Sequence, residues 1–310
     1  MKRRIVLVTG TPRSGTTVVG NALALAAHTK ALYEPMNRDS GDKIIRRYFE
    51  VPDENGFSTA DCDGLIGRVA GLSLQLRSGA FDHEKGLRRL AKLMIGGQSR
   101  HSLRMARLAF GVRHVIWKDP FAPFVARRAV EEFGIPVVIT VRPPLAVAAS
   151  FKRLNWRFDV AELDRCLHGK YLADRPLSDP ANIIERSAAL WQIVYGELSA
   201  LHARHPDHVR IVMMDGLIDT AQDTFAALYA DLGLEASAQT RAAIAKMFKP
   251  TDAAKAAVPA GHPHSRNRDI RAANTYWSKL LDEGEIEAVR ARTADVEAYF
   301  DEHVGQAVHA

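Results

Sequence analysis

The stretch that most constrains this chain lies near its start, where residues 5–17 read IVLVTGTPRSGTT. Four apolar residues, Ile5 to Val8, two of them β-branched valines, suit a central parallel strand covered on both faces. Gly10 and Gly15 permit backbone conformations that side chains forbid. A helix is expected to open at Gly15-Thr16-Thr17. Its first turn leaves N–H groups without intrahelical partners, and with the helix dipole these form an anion site, most naturally for phosphate.

The spacing from Gly10 to Gly15 fits the P-loop pattern G-x-x-x-x-G-K-[ST], but Thr16 stands where the lysine belongs. That lysine reaches the terminal phosphates of a nucleoside triphosphate, so its replacement argues against an ATPase or kinase. The positive charge sits inside the loop instead, at Arg13. The run from Pro12 to Thr17, PRSGTT, resembles the 5′-phosphosulfate loop of sulfotransferases, a basic residue followed by Ser-Gly-Thr-Thr or a close variant. The resemblance implies that Pro12, Arg13, Ser14, Gly15, Thr16 and Thr17 hold the 5′ end of a nucleotide.

A second motif begins at Arg142, within VRPPLAVAAS. Residues 135–142 form the best strand candidate after the first, and Pro143-Pro144 supplies a preformed helix start. Ser150 then falls two turns into that helix, at about 1.5 Å rise per residue. A guanidinium fork and a hydroxyl can thus approach one phosphate from two sides. The pattern resembles the sulfotransferase 3′-phosphate motif, an arginine ending a strand and a serine eight residues later.

Between the motifs, residues 30–33 suggest a short strand that Pro35 terminates, which leaves Glu34 at its tip. In open parallel sheets ligands lie beyond the carboxyl ends of the strands, so Glu34 should face the same cleft as Arg13. Carbohydrate sulfotransferases carry a similar Glu-Pro after their second strand, and by that resemblance Glu34 is the expected base. Lys118 ends the strand starting at His114 and is assigned to the same catalytic group. A salt bridge to Asp119 or elsewhere is an alternative for it.

Residues 39–113 are expected to form a helical insertion across the cleft. Gly41 to Tyr48, Ile66 to Leu76, Leu87 to Ile95 and Leu103 to Phe110 show helix-like apolar spacing. Arg100, Arg104 and Arg107 fall on one helical face and read as a solvated basic surface. Further helices are expected over residues 16–27, 122–133, 182–202, 220–232 and 283–299, with a strand at 208–215. Residues 255–275 form a polar, basic stretch without a core pattern. It resembles a divergent form of the C-terminal loop with which sulfotransferases close over the nucleotide, which makes Arg266 and Arg268, with Arg271 beside them, candidate nucleotide contacts.

The 310 residues, 47% hydrophobic and 25% charged, suit one elaborated α/β domain, and the net charge of +6 fits an anionic ligand. No nucleic-acid-binding signature is present. The two cysteines, Cys62 and Cys166, lie far apart and suggest neither a disulfide framework nor a zinc site. The short apolar run after the N-terminal basic residues does not read as a signal peptide, and no stretch approaches a membrane span, so a cytoplasmic protein is expected.

The expectation is a single sulfotransferase domain over 1–310, a three-layer α/β sandwich with a P-loop-like parallel sheet and helices on both faces. The resemblance implies 3′-phosphoadenosine-5′-phosphosulfate as co-substrate, without a metal. It also implies a small-molecule, glycan or lipid hydroxyl as acceptor, and it leaves room for a homodimer. Two rivals stand beside it. One is an ATP-dependent kinase, favoured by the apolar strand ending at Asp215. The other is a nucleotide-binding protein without activity.

Overall fold

The computed structural model describes residues 3–78, 97–249 and 270–304. Five strands, β1 (Arg4–Thr9), β2 (Thr29–Tyr33), β3 (His114–Lys118), β4 (Val137–Val141) and β5 (Val209–Met213), form one sheet in the order β2-β3-β1-β4-β5. Every pairing is parallel. β1 is central, and the chain runs outward to β2 and β3 on one side before crossing to β4 on the other. That reversal beside β1 opens the crevice where ligands bind in open α/β sheets.

Alternation along β1 explains the two helical layers. Ile5 and Leu7 face one core with Val115, Trp117 and Ile139, whereas Val6 and Val8 face a second with Ile116 and Val138. The first face is covered by α2 (Thr59–Gly71) and α7 (Ile183–Arg204), the second by α1 (Thr16–Leu23) and α8 (Leu217–Asp231). The apolar strands are buried on both sides, as a parallel sheet between helices requires. The α/β class with a parallel sheet between helical layers is thus the one expected.

Several boundaries differ from the sequence expectation. α1 ends at Leu23 because the chain tightens into i→i−3 bonds, Leu25 N to Ala22 O at 3.1 Å and Ala26 N to Leu23 O at 3.3 Å, before His28 adopts φ 55°. Residues 122–133 divide into a 3₁₀ turn, Pro123–Val125, and α4 (Ala126–Glu131). α7 begins where expected, with Asn182 accepting from Ile184 N at 2.8 Å as its N-cap.

Gly41 to Tyr48 is not helical despite its spacing. Two carboxylates take its backbone N–H groups in place of helix carbonyls. Asp42 accepts from Ile44 N at 3.2 Å, and Glu50 accepts from Arg46 N at 2.7 Å and Arg47 N at 2.8 Å. The helix expected over 66–76 stops at Gly71, with Leu72 left-handed at φ 55°. Leu87 to Ile95 lies outside the described residues. α3 (Gln98–Leu108) carries the three arginines, of which Arg104 and Arg107 are exposed as expected, and two of the three also bond the adjoining chain. Arg100 donates to Leu76 O at 2.9 Å and Arg107 to Leu72 O at 2.7 Å.

The remaining helices are α5 (Pro144–Leu154), α6 (Val160–Cys166), α9 (Ala238–Met247), α10 (Ile270–Thr275) and α11 (Glu283–Val304), with a 3₁₀ turn at Tyr276–Lys279. Among the described residues no helix is long and apolar enough to cross a membrane.

Candidate active site

The loop after β1 is built on two close approaches. A Cβ on Gly10 would lie 2.5 Å from Thr140 O and 2.8 Å from Ser14 Oγ, so β4 passes directly beside the turn. Gly15, at φ 98°, is the N-cap of α1, and a Cβ there would meet Met214 Sδ and Cε at 2.6 Å. No side chain caps α1, and Val18 and Val19 bond back to Gly15 O at 2.9 and 3.1 Å. The first turn thus keeps the character of an anion site. Pro12, Ser14 and Thr16 are buried, while Thr17 is exposed.

Arg13 sits at the apex of the turn with φ 74°, a left-handed conformation that costs a non-glycine residue roughly 1–2 kcal/mol. Glu34 shares it, with φ 52°. Seven other non-glycine positions among the described residues do too, so the conformation alone singles out neither.

The two motifs found in the sequence meet here. Arg142, buried at the end of β4, donates through Nη1 to Arg13 O at 3.1 Å, and Arg13 Nε donates to Ser150 Oγ at 3.1 Å. Pro143 and Pro144 open α5 as expected, placing Ser150 on the buried side of the helix beside Phe151. Arg13, Arg142 and Ser150 therefore form one polar cluster around the loop after β1.

Beneath the loop lies a support that no sequence pattern announced. Tyr195 of α7, fully buried, donates to Thr140 O at 2.6 Å and accepts from Thr11 N at 3.4 Å. Ser14 Oγ and Thr140 Oγ1 are 2.8 Å apart. One turn earlier, Trp191 Nε1 donates to Arg142 O at 3.0 Å. Burial raises the Tyr195 phenol above its ordinary pKa, so it stays protonated and able to donate. Both lie in the helix expected over 182–202, and the partners of their polar ends are visible only in the fold.

On the other side of β1, Lys118 Nζ bonds Glu34 Oε1 at 2.7 Å. The lysine is 2% exposed, and its stem crosses under α1 at Gly20, where a Cβ would come within 2.8 Å of Lys118 Cγ. Glu34 Oε2 accepts from Asn37 Nδ2 at 2.8 Å, and the Tyr33 ring lies 4.7 Å from the ammonium. Of the alternatives for Lys118, the salt bridge holds, with Glu34 as partner. Asp119 instead accepts from Met36 N at 2.6 Å, Phe121 N at 3.0 Å and Trp117 Nε1 at 3.1 Å. Complete burial raises its carboxyl to about 7 against those three donors. Asp119 therefore anchors the chain just past Glu34-Pro35.

Asp215 is exposed beyond the end of β5, an edge strand. Arg266 and Arg268 lie outside the described residues. From the C-terminal stretch, α10 does reach the site: Arg142 donates through Nε to Asn274 Oδ1 at 2.9 Å and through Nη2 to Ala273 O.

A cavity of about 340 Å³ opens between residues 38–55 and 157–166, lined by Tyr48, Phe49 and Phe158 together with arginines such as Arg38 and Arg157 and carboxylates such as Glu54 and Glu162. Tyr48 packs 4.9 Å from Phe121, and its hydroxyl bonds Asp39, whose N–H donates to Asn37 Oδ1 at 2.9 Å. Asn37 also holds Glu34, so the cavity is joined to the Glu34–Lys118 pair by a continuous polar chain.

No protein-family model and no curated protein sequence matches the chain. Among solved structures, the sulfotransferase domain of the Synechococcus PCC 7002 olefin synthase is similar at 15% identity over 94% of this chain and 95% of that one, with a TM-score of 0.43. The sulfotransferase domain of the curacin biosynthetic pathway is similar at 12% identity over 95% and 98%, with a TM-score of 0.48. Mouse sulfotransferase SULT7A1, solved as a complex with PAP, is similar at 12% identity over 98% and 90%, with a TM-score of 0.43.

Proposed function

We propose that this chain is a sulfotransferase that moves a sulfuryl group from 3′-phosphoadenosine-5′-phosphosulfate to a hydroxyl of a carbohydrate or glycolipid acceptor, and that residues 1–310 act as one domain. The observation that carries the reading is the meeting of the two phosphate motifs. Residues 129 positions apart, Arg13 and Arg142, are bonded to one another, with Ser150 as the third member.

The residues fit such a nucleotide. The start of α1 with Arg13 suits a 5′-phosphate, and the missing Cβ atoms of Gly10 and Gly15 let Thr140 and Met214 pack directly against the loop that presents it. Arg142 and Ser150 suit a second phosphate on the ribose. When bound, the donor supplies an activated sulfuryl group, and its transfer calls for alignment and charge stabilisation instead of covalent protein chemistry.

Glu34 takes the proton of the acceptor hydroxyl. Its carboxylate is held from two sides by Lys118 and Asn37, which fixes its orientation and leaves lone pairs for the proton. Arg13 neutralises charge developing on the departing phosphate. The cavity beside Tyr48 is where the acceptor approaches, and its volume suits a small molecule or the end of a longer one.

The test is transfer of labelled sulfate from the donor to a panel of glycosides and glycolipids. Transfer that disappears in Arg13→Ala supports the proposal. Hydrolysis of ATP in place of sulfate transfer would overturn it.

A further inference from the structure

Asn274 is 5% exposed and stands 132 positions from Arg142, yet its carboxamide is used at both ends. Oδ1 accepts from Arg142 Nε at 2.9 Å, and Nδ2 donates to Met214 O at 2.9 Å. Met214 is itself fixed twice. Its N–H donates to Val141 O at 2.7 Å, immediately before Arg142, and its thioether fills the space against Gly15. One carboxamide therefore ties α10 to the ends of β4 and β5 and, through Met214, to the phosphate loop.

An arginine recognises a phosphate by the direction of its planar fork, and a fork on a flexible stem gains that direction only from partners that hold the plane. Trp191 fixes the Arg142 backbone carbonyl and leaves the guanidinium plane unset. The plane is set by Asn274 at Nε, by the adjoining Ala273 carbonyl at Nη2 and by Arg13 O at Nη1. Of these, Asn274 is the side chain, and its chemistry is specific. A carboxamide offers an acceptor to Nε and a donor to a carbonyl together, which neither a carboxylate nor an apolar side chain does.

We propose that Asn274 is a positioning residue for phosphate selectivity: it orients the Arg142 fork, so that a residue of the C-terminal segment decides whether the site distinguishes a 3′-phosphorylated nucleotide. The inference rests on the reading above, in which Arg142 receives the 3′-phosphate.

The experiment compares calorimetric affinities for 3′-phosphoadenosine-5′-phosphate and for adenosine 5′-phosphate, which lacks only the 3′-phosphate. In Asn274→Ala the first should weaken about tenfold while the second is unchanged, the size expected for losing a bond to a charged group. In an Arg142→Lys background, where no Nε donor remains, adding Asn274→Ala should cause no further loss of selectivity. If the alanine variant does not fold, Asn274→Asp, which keeps an acceptor for Nε, should retain most of the preference while lowering Tm. Equal weakening of both nucleotides, or none, overturns the inference. A wild-type protein that binds the two nucleotides alike refutes the functional reading itself. Discrimination that survives in Asn274→Ala refutes only the role of Asn274.

Discussion

Glu34→Gln separates two roles of the Glu34–Lys118 pair because its two halves are buried unequally. Lys118 is 2% exposed at its side chain, whereas Glu34 is 29% exposed, and the two meet at 2.7 Å. Removing the carboxylate charge leaves an ammonium shielded from water beside the amide that replaces it. Removing the lysine lets the carboxylate recover hydration. Loss of a hydrogen bond to a charged group is worth about 1.5–3 kcal/mol, and this is the range expected for Glu34→Gln. Lys118→Met fills the same channel beneath Gly20 with an apolar chain and should cost less than Glu34→Gln, since the large penalty for breaking a pair falls on a charge left buried and the remaining Glu34 is 29% exposed. The double variant should therefore be more stable than Glu34→Gln alone. Chemical denaturation of the four proteins gives the cycle. In the transfer assay, with donor saturating, Glu34→Gln should lose about a hundred- to ten-thousandfold in turnover, the usual contribution of a general base. Donor affinity should persist, because β2 is separated from β1 by β3. Near-normal turnover, or a Glu34→Gln protein more stable than Lys118→Met, would refute this account of the pair.

Tyr195→Phe removes the hydroxyl that joins Thr140 O to Thr11. It should cost about 1–2 kcal/mol in denaturation and weaken nucleotide binding, and binding unchanged at reduced stability would confine Tyr195 to the core. Asp119 predicts a pH dependence. Its folded carboxyl is raised to about 7 from an ordinary value of 3.8, so the folded state holds the proton more tightly. Stability should then fall as pH rises through that window, on the order of 1.4 kcal/mol per pH unit at most, and level off above it. Asp119→Asn should flatten this slope in denaturation at pH 5 and 7.5, and an unchanged slope contradicts the assignment. Because Thr16 replaces the P-loop lysine and the proposed donor lacks a triphosphate, transfer activity should survive EDTA; loss restored by magnesium would favour a kinase.

The strands, the turn at PRSGTT and the helix start after Arg142 were legible because their signals are local. A buried parallel strand is an unbroken apolar run, and PRSGTT or VRPPLAVAAS writes its turn and helix start in adjacent residues. What the sequence hid depends on distant partners. Gly41 to Tyr48 has helical spacing, but the carboxylates of Asp42 and Glu50 compete for its N–H groups. Arg100 and Arg107 fall on a helical stripe like any solvated face, and only the fold brings backbone carbonyls to them. Tyr195, within an amphipathic helix, and Asn274, in a stretch without a core pattern, act through polar atoms whose partners only the fold supplies. Lys118 was visible at a strand end, yet its partner is set by the register of β2 on β3, which pairs Tyr33 with Lys118.

The most direct measurement of the central claim is calorimetric binding of 3′-phosphoadenosine-5′-phosphate and of ADP to the wild-type protein and to Arg142→Ala. The wild type should prefer the 3′-phosphorylated nucleotide. Arg142→Ala should weaken it by roughly ten- to a hundredfold, the equivalent of one charge-assisted bond, and should leave ADP nearly unaffected. Equal losses for the two nucleotides, or a wild type that prefers ADP, would contradict the account.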